Sequence, residues 1–179
     1  MVSYEISGAS GRLSRHPELS TGFLLILLQL PASGSRLPSF EDYAVAEVFK
    51  GKPARVDFRS DPVARRFRTR LTAGAAKGPN FAGRFTVVVW GCGTACESVA
   101  IIDAKSGRVY SPLGPVSNGV CFRPDSALMI TDPIDRETFE AYQGHLPEWL
   151  KTRYWKWDGT KMMEISSSRA LMETPCDSK

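Results

Sequence analysis

No stretch of the 179 residues holds the eighteen or more consecutive apolar side chains that cross a bilayer, which excludes a transmembrane helix. Histidine is scarce, with two in the whole sequence, and no Cys-x2-Cys pair occurs, so a structural zinc site lacks its ligands. Neither Gly-x-x-x-x-Gly-Lys-[Ser/Thr] nor Gly-x-Gly-x-x-Gly is present, which removes direct support for nucleotide binding. Internal self-similarity at a period of 20 to 50 residues is missing as well, which argues against a solenoid. The fifteen glycines and twelve prolines follow no period, so collagen and low-complexity chains are excluded. What remains is an ordinary globular composition, 42% hydrophobic and 23% charged.

Residues 1–34 read differently from the rest. Arg12, Arg15 and His16 precede the apolar run Phe23 to Leu30, Pro31 breaks it, and Ala32-Ser33-Gly34 offers a small-x-small exit. Basic region, short apolar core and small-residue exit make a secretory signal peptide. The acids Glu5 and Glu18 in a long basic region point to a true start downstream of Met1. The 145 residues that follow carry 21 basic and 17 acidic side chains, net +4. That excess is too small for a nucleic-acid footprint, so the expected partner is a protein or envelope component, with no nucleic acid and no membrane-spanning segment. The expected localisation is periplasmic or secreted.

An even number of cysteines in an oxidising compartment favours disulfides, and Cys92, Cys96, Cys121 and Cys176 allow three connectivities. The short Gly93-Thr94-Ala95 spacer favours Cys92 with Cys96, leaving Cys121 to tie Cys176 and the tail (167–179) back to the body. The competing use of these thiols is a small hydrolase or transferase with Cys92 or Cys96 as nucleophile and His145 as base. No metal and no cofactor is expected.

Asp61-Pro62 supplies an N-cap and a first-turn proline, and Val63, Phe67 and Leu71 form an apolar stripe, which predicts one amphipathic helix. Arg65, Arg66, Arg68 and Arg70 crowd its other side, read as a solvated face paired with acids elsewhere or as an anion-binding face; the first is preferred. Ala46–Phe49 and Ala54–Phe58 are candidate short strands, and residues 37–43 an extended leader. From Phe85 the β-branched and aromatic pattern predicts strands joined by short turns: 85–90, 98–103, 108–110, 120–123 and 127–131. A short helix at 136–142 follows. Asp158-Gly159 predicts a two-residue hairpin turn that sets Trp155 against Met162 and Arg153 against Glu164. The expected fold is α+β: a single domain over 35–166, mostly an antiparallel β meander, sandwich or partial barrel, with one Arg-rich helix packed on it.

The runs Gly78-Pro79-Asn80-Phe81-Ala82-Gly83, Trp90-Gly91-Cys92-Gly93-Thr94-x-Cys96 and Ile101-Ile102-Asp103-Ala104-Lys105-x-Gly107-x-Val109-Tyr110 resemble a group of small exported bacterial proteins. The likeness covers about residues 39 to 165. It implies export and one compact domain, and no reaction. Members carry His-Tyr where this chain has Arg84-Phe85, so a role resting on that imidazole lacks its residue here.

Two Gly-rich turns, with Arg84 nearby, could cradle an anion through backbone N–H groups. The candidate binding residues are Asn80, Arg84, Trp90, Thr94 and Glu97, around a surface loop at Gly91 to Glu97 pinned by a disulfide. The functional reading is an exported, non-enzymatic binding module: an inhibitor, an immunity-type protein or an envelope scaffold. No convergent catalytic motif argues for more.

Overall fold

Apolar side chains along the two longest strands alternate, and the alternation sorts them onto two faces, each covered by a different layer. The computed structural model describes residues 36–172. The chain separates into Met1–Gly34 and Ser35–Lys179; the leader reading and the partner expected for Cys121, Cys176, lie outside the described residues. A 3₁₀ turn (Phe40–Tyr43) is followed by helices α1 (Pro62–Arg66) and α2 (Arg68–Ala75) and by strands β1 (Phe85–Gly93), β2 (Cys96–Asp103) and β3 (Val109–Tyr110). Then come β4 (Val120–Phe122), β5 (Leu128–Thr131), helix α3 (Arg136–Ala141), β6 (Thr152–Trp157) and β7 (Met162–Ser168). The strands form two antiparallel sheets, ordered β1-β2-β3 and β4-β5-β6-β7. The fold is α+β, as expected, with two open sheets. Among the described residues no helix is long and apolar enough to cross a membrane.

Phe85, Val87, Val99 and Ile101 meet Val120, Met129 and Trp157 of the second sheet in one buried cluster. On the reverse of the first sheet, Trp90, Ala100 and Ile102 pack under Ala64, Leu71 and Ala75 of the two helices. The reverse of the second sheet buries Leu128, Ile130 and Tyr154 against Phe40, Tyr43 and Met172. Helices, sheet, sheet and amino-terminal turn are therefore stacked in that order, and period-two alternation assigns each strand residue to its layer.

Several expectations need correction. The Arg-rich helix is two short helices, because Phe67 leaves helical geometry (φ −112°, ψ 31°). The step sets its ring 4.7 Å from that of Trp90 while Ala64 and Leu71 stay buried. Gly74 lets α2 approach β1, since a Cβ there would lie 2.4 Å from a Val88 methyl.

Residues 46–49 and 54–58 form no strands. The second segment is instead tied singly to the β2–β3 turn, through Ala54 N–H to the Ala104 carbonyl (2.8 Å) and Asp57 N–H to the Gly107 carbonyl (2.8 Å). The presumed leader at 37–43 coils into the 3₁₀ turn, where the Asp42 carboxylate accepts the N–H and O–H of Ser39, each at 2.9 Å.

The last hairpin is two residues out of the expected register. Trp157 pairs with Met162 and Trp155 with Glu164, because Asp158 Oδ1 accepts from the N–H groups of Thr160 (2.8 Å) and Lys161 (2.9 Å) and closes a four-residue loop. Arg153 still reaches Glu164, at 4.0 Å, across a bulge. β7 runs on to Ser168, and Met172 N–H bonds the Ile134 carbonyl (2.8 Å), so the tail is docked at least that far.

Candidate functional site

β1 and β2 stay paired from Phe85↔Asp103 out to Gly91↔Glu97, then shift register and close through Gly93↔Cys96. The turn needs left-handed backbone at Ala95 (φ 47°), and the Cys92–Cys96 disulfide crosses it with α-carbons 5.1 Å apart. Gly91 to Ala95 are exposed. At the base, Glu97 gives its N–H to the Val116 carbonyl (2.8 Å) and takes the Val116 N–H (2.9 Å), and Trp90 anchors the strand in the helix layer. The result is a projecting tip held by a ladder, a cross-link and a loop brace.

Joining Cys92 to Cys96 removes the thiol that a cysteine nucleophile requires, and no described cysteine is free. His145 is exposed, its Nδ1 2.9 Å from the Gln143 carbonyl. The described residues thus offer no free thiol for His145 to activate.

Arg84 lies at the other end of β1, and nine strand residues at about 3.3 Å each put roughly 30 Å between it and the tip. Its guanidinium pairs with the buried Asp103 carboxylate at 3.3 Å and lies 5.1 Å from the Phe85 ring centre. It also lines two clefts: one of about 610 Å³ shared with Phe49, Lys50 and Lys105, and one of about 300 Å³ shared with Phe85 and Trp157. The Gly78–Gly83 turn beside it has no backbone N–H to spare for an anion. The N–H groups of Gly78 and of Asn80 to Arg84 are all given to protein carbonyls.

No protein family, curated protein or solved structure matches this chain. The site is accordingly read from its own geometry.

Of the five candidate binding residues, Thr94 and Glu97 share the hairpin tip and Arg84 stands at the far end. Asn80 and Trp90 are structural. The Asn80 carboxamide accepts the Val87 N–H (2.7 Å) and donates to the Val87 carbonyl (3.1 Å), while Trp90 is 5% exposed. Lys50 and Lys105 join Arg84 only through the tertiary fold, and no local spacing signals that meeting. Among the described residues, no group of three or more His, Cys, Asp or Glu is arranged to hold a metal ion. The perturbed acids lie in turns: backbone N–H donors hold Glu41, Asp42 and Asp158 below the usual carboxylate range, and burial pushes the Tyr154 phenol up.

Proposed function

We propose that this chain is an exported binding module, periplasmic or secreted, that presents the β1–β2 hairpin tip to a protein or envelope component. Inhibitors, immunity-type proteins and envelope scaffolds work in this way, without chemistry of their own. The observation that carries the reading is the exposed tip at Gly91–Ala95, cross-linked by Cys92–Cys96 and braced at Glu97. A pre-ordered loop loses little conformational freedom on binding, so more of its contact energy appears as affinity. The reading predicts that residues 1–34 are removed during export.

A photo-crosslinking amino acid at Thr94, installed in the producing cells, tests it. One discrete adduct is expected there and none from the same group at Glu137 on α3. Replacing both Cys92 and Cys96 with Ser should cost about 2 kcal/mol or less by loop entropy and weaken the adduct. No adduct at Thr94, or equal labelling at both positions, sinks the proposal. Intact mass of the accumulated protein adds a check: a chain that keeps residues 1–34 and is alkylated at Cys92 or Cys96 without reduction also contradicts it.

A further inference from the structure

Arginines 65, 66, 68 and 70 are exposed, and none lies within ion-pair distance of a carboxylate among the described residues. The expected pairing with acids elsewhere in the fold is therefore not found. The four belong to a longer tract: residues 50–77 contain nine cationic side chains, all exposed, and two acids. The rest of residues 35–179 carries twelve basic and fifteen acidic side chains, so a net +4 resolves into +7 on this tract and −3 elsewhere.

Both acids of the tract already serve as turn acceptors. Asp57 takes the Arg59 N–H (2.9 Å), and Asp61 takes the Val63 N–H (2.8 Å) and the Ser111 hydroxyl (3.1 Å). The helix dipole does not account for the cluster: Arg65 and Arg66 fall in the last turn of α1, where positive charge is favoured, but Arg68 opens α2, whose first turn holds no acid and disfavours it. Two guanidinium groups rest on rings, Arg68 4.8 Å from Phe58 and Arg66 5.6 Å from Phe67. Because residues 54–57 are bonded to the Ala104–Gly107 turn, the exposed Lys105 and Arg108 extend the same surface.

We propose that this face binds the anionic, phosphate-bearing headgroups of a lipid surface, adsorbing without insertion. Arginine's planar fork matches phosphate oxygens, and six of the tract's nine cations are arginine. A protein partner would have to be held here by the cations alone, since no large hydrophobic side chain between residues 50 and 77 is exposed to add an apolar anchor. Single-stranded nucleic acid would need exposed aromatic platforms, and the tract's Phe58 and Phe67 are only partly exposed, beneath Arg68 and Arg66. A headgroup layer needs neither feature. The proposal is independent of the hairpin tip.

The test is co-sedimentation of the protein, in the form its producing cells accumulate, with two kinds of vesicle. One contains equal parts phosphatidylglycerol and phosphatidylcholine; the other is pure phosphatidylcholine. Binding is expected only to the first, and should vanish as salt shortens the screening length from about 10 Å at 0.1 M to about 3 Å at 1 M. Arg→Gln changes at positions 65, 66, 68 and 70 should lower partitioning about fivefold each. Arg136→Gln on α3 should leave it unchanged. If the fourfold variant does not fold, Arg65→Glu alone should still weaken binding. Equal binding to both vesicles, no loss in these variants, or tighter binding to a short duplex DNA than to the anionic vesicle would overturn the proposal.

Discussion

The Asn80 carboxamide stands where a neighbouring strand would be. β1 is an edge strand, and the outward N–H and C=O of Val87 are taken by this one side chain, at 2.7 Å and 3.1 Å. Edge strands carry a row of such unpaired groups, and covering them prevents unwanted pairing. Asn80→Ala leaves both buried groups of Val87 without partners, so a loss of about 2 to 3 kcal/mol is expected in urea unfolding. A change below a few tenths would show that solvent takes over the role. Asp158 offers a second test at this scale. The N–H groups of Lys161 and Thr160 hold its carboxyl below the usual range, so the folded state binds the proton less tightly than the unfolded one. Its contribution is full above the ordinary carboxylate value and disappears as pH falls through the lowered one. Asp158→Asn should therefore flatten the acid limb of a stability-against-pH curve, and an unchanged limb would contradict this. Neither residue's task shows in the sequence: Asn80 reads as a candidate binding residue, and Asp158 as half of a two-residue turn.

At the level of elements, Gly107 joins two pieces of chain that are distant in sequence. Its φ is +76°, and a Cβ would lie within bonding range of the Arg55 carbonyl oxygen, at 1.9 Å. Gly107→Ala must either push residues 54–57 off the β2–β3 turn or strain both. A destabilisation of about 3 kcal/mol is expected, with faster amide exchange at Ala54 and Asp57, whose N–H groups bond Ala104 and Gly107. Retained protection at those two amides would refute that account. The same contact explains which elements were legible. Strands at Phe85–Trp90, Ser98–Asp103 and Leu128–Thr131 announce themselves through runs of β-branched and aromatic residues. Residues 46–58 have a similar local pattern, yet they are tied by isolated bonds to the loop at Gly83 and the turn at Ala104–Gly107, and no window of sequence contains those partners. The Asp-Gly turn marks the final hairpin but not its register, because Thr160 and Lys161 give the Asp158 carboxylate two donors that lengthen the loop.

For the whole molecule, the layer order follows from alternation along β1 and β2, which the sequence displays. The meeting of the two sheets through Phe85, Ile101, Met129 and Trp157 joins residues too far apart for any local signal. The candidate sites divide in the same way. The disulfide-crossed tip is visible as Cys-x3-Cys between strands, whereas the cluster of Arg84 with Lys50 and Lys105, and the absence among the described residues of ion pairs to the cations of 50–77, exist only in three dimensions. The layering also separates the four indoles by depth and chemistry. Trp90 is buried under the helices and Trp157 between the sheets, neither N–H finding an acceptor among the described residues; Trp155 donates to the Thr131 hydroxyl (3.0 Å), and Trp149 is 59% exposed. Buried indoles without a polar partner emit at the blue end of the range and solvated ones at the red. Intrinsic fluorescence thus reads this protein layer by layer: loosening of the helices unmasks Trp90 first, while the blue light of Trp157 persists until the sheets part.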